Sequence, residues 1–141
     1  MELNIQTVEM TLTEAAQSNP GAWVDHSRYV AKACKNIASH CKDLSSEQAY
    51  LFGLLHDIGR YAGVSSERHL IDGYRYCMER GWGKAAQICI SHAFMIQDID
   101  TSIGEFDVSD EDYLFMKDFV ANAVYDDYDR LVQLCDALAM P

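Results

Sequence analysis

Apolar residues recur along this chain at intervals of three and four, the period of an α-helix, and short runs rich in Gly, Pro and Ser interrupt them. The clearest interruption is Asn19-Pro20-Gly21, which follows a short helix predicted near residues 12–17. A longer helix is predicted from about residue 23 to residue 41. Its inward face is expected to carry four residues spaced by four, three and four positions: His26, Val30, Ala33 and Ile37.

Ser and Asp residues at helix starts and Gly residues near helix ends predict the remaining elements. Ser45 and Gln48 could form a capping box for a helix that continues through about Asp57. Ser109 and Asp112 would cap a helix over residues 110–124. The other predicted segments are a helix from Ser65 or Ser66 to Gly81, a helix over 84–94, a polar loop over 96–108 and a helix over 126–139.

These elements predict an all-α fold. We expect one compact domain over residues 1–141, with about six to seven helices and residues 1–21 as an N-terminal extension packing on it. A chain of 141 residues with 49% hydrophobic content can bury a substantial core. The residues expected in that core are Trp82, Phe94 and Phe119, together with the apolar side of the last helix: Leu131, Leu134, Cys135 and Leu138.

The amino-acid composition and charge argue against several classes of function. The formal charge is −11, from 22 acidic and 11 basic residues, so the surface repels phosphate backbones and general nucleic-acid binding is not expected. No apolar stretch approaches the roughly 20 residues of a membrane span, and MELNIQTVEM does not resemble a signal peptide. The five cysteines include no CxxC pair and are interpreted as reduced packing residues of a cytoplasmic protein.

The segment AYLFGLLHDIGR, residues 49–60, poses a chemical question because an apolar run ends in His56-Asp57. A carboxylate beside a core is costly unless it has a partner. Three more histidines, His26, His69 and His92, lie on separate predicted helices, and Asp136 follows in the last one. Each of these residues alone is more simply a hydrogen-bonded core or surface residue. Together they indicate a site for a divalent metal such as iron, manganese or zinc.

The order of these six residues, with the segments LLHDIGR and QLCDALA, resembles the HD-domain superfamily of metal-dependent phosphohydrolases over about residues 24–138. The two histidines between the HD pair and the final aspartate resemble its dinuclear branch, although His69 follows His56 by only 13 residues. Gly73-Tyr74-Arg75 differs from the Gly-Tyr-Pro signature of the cyclic-dinucleotide phosphodiesterase branch, which we therefore exclude.

The resemblance implies two metal ions that share Asp57 as a bridging ligand. The first ion would be held by His26, His56, Asp57 and Asp136, and the second by Asp57, His69 and His92. Such a pair would activate a water as hydroxide for attack on phosphorus. Arg60 lies three residues after Asp57 and could bind the substrate phosphate, or it could be a surface residue at a helix end.

The implied function is hydrolysis of a nucleotide or another small phosphoester, with Asp57 and Arg60 as the catalytic residues. Two alternatives share the same expected ligands. One is an HD-type mixed-valence di-iron oxygenase acting on a small molecule. The other is a non-catalytic, metal-containing sensing module.

Overall fold

Seven α-helices and two short 3-10 helices make up the regular structure of residues 1–139, the part of the chain that this computed structural model describes. The α-helices are α1 (Ile5–Ser18), α2 (Ala22–Ala38), α3 (Ser46–Leu55), α4 (Arg68–Glu79), α5 (Gly83–Ser91), α6 (Asp110–Asn122) and α7 (Asp127–Leu138), and the 3-10 helices are Ile58–Ala62 and Ile99–Thr101. No strand occurs within these residues. The prediction of an all-α helical bundle is confirmed. Between residues 1 and 139, each helix is too short or too polar to traverse a lipid bilayer.

Two helix ends differ from the predicted ones in ways that affect the site. Helix α1 begins well before residue 12, because the side chain of Asn4 accepts a hydrogen bond from the Thr7 N–H at 2.8 Å. Helix α3 begins after Ser45 as predicted but ends at Leu55. His56 and Asp57 therefore form the junction between α3 and the following 3-10 helix. Residues at such a junction can aim their side chains across the helix end.

The last helix buries a different face from the one predicted. Leu131 and Cys135 are buried, but Leu134 is 47% exposed and Leu138 is 69% exposed, so the prediction was wrong for these two. Val132 is buried instead, one position along from Leu131. The buried face of α7 is therefore rotated toward α2 and α3, and Asp136 lies at its edge.

The buried side chains form two clusters. The larger one joins α1, α2, α3, α4, α5 and α7 and includes the predicted core residue Trp82. The smaller one joins α4, α5 and α6 around Phe94, also predicted, with Phe119 half-buried at its margin. Four of the cysteines are buried as free thiols, and Cys41 is exposed.

Two glycines set the distances between the helices that carry histidines. A Cβ at Gly53 would lie 2.5 Å from the Ala31 Cα, so α2 and α3 touch through their backbones. A Cβ at Gly59 would overlap the carbonyl oxygen of His69 and lie 2.5 Å from the Gly73 nitrogen. Any larger residue at these positions would separate the segments. The close contacts place α2 and α4 on either side of His56 and Asp57.

A buried carboxylate, Asp129, joins α5 to α7. Asp129 accepts hydrogen bonds from Lys84 Nζ at 2.5 Å, from Ser91 Oγ at 2.6 Å and from the Asp126 N–H at 2.8 Å. Burial raises the pKa of Asp129, but the hydrogen bonds from Lys84 and Ser91 lower it by a larger amount. The pKa of Asp129 therefore lies below its usual value. This network fixes the C-terminal end of α5 directly before His92.

Replacing Asp129 by Asn is expected to lower the free energy of unfolding by about 2–3 kcal/mol at neutral pH, because the buried acceptor loses its charge. The folded-state pKa lies below the unfolded one, so this contribution is complete above about pH 4 and is lost as pH falls through the folded-state pKa. Urea unfolding of both proteins between pH 3 and pH 7 measures it. Asp127→Asn, at an exposed neighbour, is the control. An equal loss in both variants would contradict the role given to Asp129.

Candidate metal centre

The six residues predicted as metal ligands come from five segments and meet in one place. His26 lies on α2, His56 and Asp57 follow α3, and His69 is in the first turn of α4. His92 is the residue after α5, and Asp136 lies on α7. Their nitrogen and oxygen atoms form three overlapping groups, each with all atoms within 4.8 Å, and each able to hold a metal ion.

Asp57 lies at the centre of this cluster, with one oxygen toward each of two histidine pairs. Its Oδ2 is 3.5 Å from His56 Nε2 and 4.0 Å from His26 Nε2. Its Oδ1 is 3.4 Å from His69 Nε2 and 3.3 Å from His92 Nε2. The two oxygens of Asp57 thus face different histidine pairs, and a bridging role between two ions remains a prediction.

Asp136 joins the Oδ2 side of the cluster. Its Oδ1 lies 2.7 Å from His26 Nε2 and 3.3 Å from His56 Nε2. The hydrogen bond that His26 donates to Asp136 raises the pKa of His26. Burial raises the pKa of Asp136, but the hydrogen bond from His26 and the nearby charges of His92 and His56 lower the pKa by a larger amount, to well below its usual range. The two sides of the cluster thus contain the same residues as the two ligand sets implied by the resemblance, and ligation itself remains a prediction.

Backbone carbonyls orient three of the four rings. The Nδ1 atoms of His56, His69 and His92 lie 2.6, 2.6 and 2.9 Å from the carbonyl oxygens of Gly53, Ser66 and Ile88 respectively. In a neutral ring, an Nδ1–H that donates to a carbonyl leaves the lone pair on Nε2. All three Nε2 atoms face the cluster, so this tautomer suits metal binding.

One buried atom provides a test of whether these residues fit a metal. His56 Nε2 is buried and has no hydrogen-bond partner in the described structure, although an unsatisfied buried polar atom is costly. A cation between His56, Asp57 and Asp136 would satisfy it. Imidazole nitrogens and carboxylate oxygens are also the donors that iron, manganese and zinc accept. The residues present therefore fit a divalent metal.

Comparison with known families agrees with this arrangement. A family model described as the HDOD domain matches residues 5–87. The chain belongs to the HDOD family. HDOD domains are HD-like helical domains, so the match supports the predicted relationship at that level. No curated protein and no solved structure matched the chain. The matched range includes four of the six clustered residues and ends before His92 and Asp136.

The histidines keep the central carboxylate of this HDOD domain ionised. Burial raises the pKa of Asp57, but the neighbouring His56, His69 and His92 lower the pKa by a larger amount, to well below its usual range. Burial lowers the pKa of His92, and the hydrogen bond to Asp57 raises it to about 9. A metal ligand must be an ionised carboxylate, and Asp57 meets this condition at neutral pH.

A cavity of about 380 Å³ opens above the cluster of the HDOD domain. Five of the six clustered residues line it, whereas His56 lies beneath with a fully buried side chain. Arg60 also lines the cavity, and its Nε is 3.9 Å from Asp57 Oδ2. Arg60 therefore lies in the cavity wall beside Asp57, and its binding of phosphate remains a prediction.

The sequence did not identify Glu67 or Trp23 as residues of the cavity wall, yet both line the cavity. The carboxylate of Glu67 accepts a hydrogen bond from Ser102, 35 positions away in the chain, and no local pattern signals that contact. Conversely, Arg28 flanks His26 in sequence but pairs with Glu9 at 2.9 Å, away from the lining residues.

Proposed function

We propose that this HDOD domain is a metal-dependent phosphohydrolase that acts on a nucleotide or another small phosphoester. The observation that carries the proposal is the position of Asp57, whose two oxygens face separate histidine pairs at the floor of a cavity that also contains Arg60. Divalent ions held on the two sides would supply Lewis acidity and an activated water for attack on phosphorus.

The residues of the chain have distinct parts in this proposal. His26, His56 and Asp136 would hold one ion, and His69 and His92 the other, with Asp57 between them. The Arg60 guanidinium would bind the non-bridging oxygens of the phosphate and place the phosphorus above Asp57. A cavity of about 380 Å³ lies within the range of small-molecule sites, which agrees with a small ester.

A second candidate follows from the family, because HDOD domains often have signalling roles. In that case the same cluster would stabilise the helices, and the cavity would bind a phosphorylated ligand without cleaving it. The di-iron oxygenase also remains an alternative, since the donor atoms are the same. The three functions differ in the metal, in oxygen consumption and in phosphate release.

The test is metal analysis of protein purified without chelators, together with assays of phosphate release from small phosphoesters under air and under nitrogen. We expect about two divalent ions per chain and phosphate release at the same rate in both atmospheres. Iron with oxygen consumption and no phosphate release would favour the oxygenase. Ligand binding with neither reaction would favour the signalling module.

A further inference from the structure

Glu67 is a charged residue of the cavity wall that the proposed chemistry does not use. It precedes α4, two positions before His69, and its Oε2 accepts a hydrogen bond from Ser102 Oγ at 2.9 Å. A Cβ at Gly104 would lie 2.8 Å from the Glu67 carboxylate, so the backbone of the 102–104 loop packs against it. Within the described residues, no hydrogen bond reaches the other oxygen, Oε1. The carboxylate is thus held against the loop, and Oε1, which lies beside Gly104, has no hydrogen-bond donor among the described residues.

The position of this acceptor indicates what it could bind. Outside the six clustered residues, the charged residues lining the cavity are Arg60 and Glu67. A guanidinium attracts the phosphate of an ester, whereas a carboxylate repels it. An ionised carboxylate only accepts hydrogen bonds, so Glu67 requires a donor from the part of the ligand beyond the phosphate. A hydroxyl group meets this requirement without placing another positive charge beside Arg60.

We propose that Glu67 is a specificity-determining residue that accepts a hydrogen bond from a hydroxyl group of the substrate. It would select phosphate esters of hydroxylated compounds over esters that lack a hydroxyl near the phosphate. This inference rests on the proposed phosphohydrolase site and names the class of ester that the site takes. Sugar phosphates and nucleoside monophosphates share this chemistry.

A contact with Trp23 would distinguish nucleoside monophosphates from sugar phosphates. Trp23 lines the cavity with the small part that is exposed, 9% of the residue, and its Nε1 donates to the Asn19 carbonyl at 2.8 Å, which fixes the indole. An aromatic ring in a cavity wall can stack on a planar base but gains much less from a sugar alone. Tighter binding of adenosine monophosphate than of ribose 5-phosphate, lost in Trp23→Leu, would identify the nucleotide. Equal binding would identify the sugar phosphate.

The test measures binding to Mn²⁺-loaded protein before turnover, by rapid-freeze electron paramagnetic resonance of the Mn²⁺, a signal that the Trp23→Leu variant retains. The ligands are inorganic phosphate, ribose 5-phosphate, adenosine monophosphate and its 2′,3′-dideoxy analogue. We expect Glu67→Gln to weaken binding of the two hydroxylated esters about tenfold and to leave inorganic phosphate unchanged, because a bond to a charged acceptor becomes a neutral one. Ser102→Ala, which frees the carboxylate, should act in the same direction by about threefold.

Glu79→Gln is the matched control, because Glu79 lies at the opposite end of α4 with a side chain that is 77% exposed. Unchanged binding of the hydroxylated esters in Glu67→Gln would overturn the inference, as would an equal loss of inorganic phosphate, which would assign Glu67 to the support of His69. Tighter binding of phosphoethanolamine than of ribose 5-phosphate would show that Glu67 recognises an ammonium group of the ligand, and would contradict the inference. Selective binding without phosphate release would refute the proposed hydrolysis and leave this inference intact.

Discussion

Asp57→Asn is expected to weaken metal binding by more than about 100-fold and to lower kcat for phosphoester hydrolysis by roughly 10³-fold. The amide is nearly the same size, but it removes the negative charge that both histidine pairs face and offers only one carbonyl oxygen. Both sides of the cluster should therefore lose affinity together. Metal analysis after gel filtration, followed by phosphate-release assays at saturating metal, measures the two effects.

The matched control is Asp43→Asn, at an exposed position before α3. It should retain the metal content and the rate of the unaltered protein. If Asp57→Asn bound as much metal as the unaltered protein, the assignment of the whole cluster would be wrong. Loss of one ion only would show that Asp57 belongs to one side and does not bridge.

Local signals in the sequence account for most of the fold. Ser45 and Ser109 accept hydrogen bonds from backbone N–H groups three positions on, and α3 and α6 begin directly after them. The predicted capping box at Ser45 is only half formed, because the Ser45 N–H donates to the Tyr128 hydroxyl. Helix α1 was predicted too short because polar residues interrupt its apolar period. One of them, Thr11, is nevertheless buried in the bundle. Helix capping depends on neighbouring residues and can be predicted from the sequence, whereas burial of a polar residue depends on packing against another helix.

The same distinction applies to the candidate site. The order of histidines and aspartates predicted which residues converge, because each lies at a position that a helical bundle can turn inward. It did not predict Glu67, whose orientation depends on Ser102, or Asp129, whose partner Lys84 lies 45 positions away. Nor could the spacing of 13 residues between His56 and His69 show that both would reach Asp57.

His56 and His69 both reach Asp57 despite the short spacing between them because the backbone at Gly59 lies directly against α4. A Cβ at this position would overlap the His69 carbonyl oxygen and approach the Gly73 nitrogen, and both atoms belong to a helix that cannot yield locally. We therefore expect Gly59→Ala to move α4 away from Asp57. The free energy of unfolding should fall by about 2–3 kcal/mol, and one of two bound ions should be lost as His69 withdraws from Asp57 Oδ1.

Denaturant unfolding and metal analysis of the same preparation measure this coupling between packing and the site. Gly83→Ala is the control, because nothing lies within 4 Å of a Cβ at Gly83. His69→Ala distinguishes the loss of packing from the loss of the metal ligand, because it removes the imidazole without displacing the backbone of α4. We expect this variant to bind one ion fewer, with a smaller decrease in the free energy of unfolding. If Gly59→Ala kept both ions and full stability, the contact between the 3-10 helix and α4 would not be what brings His69 to Asp57.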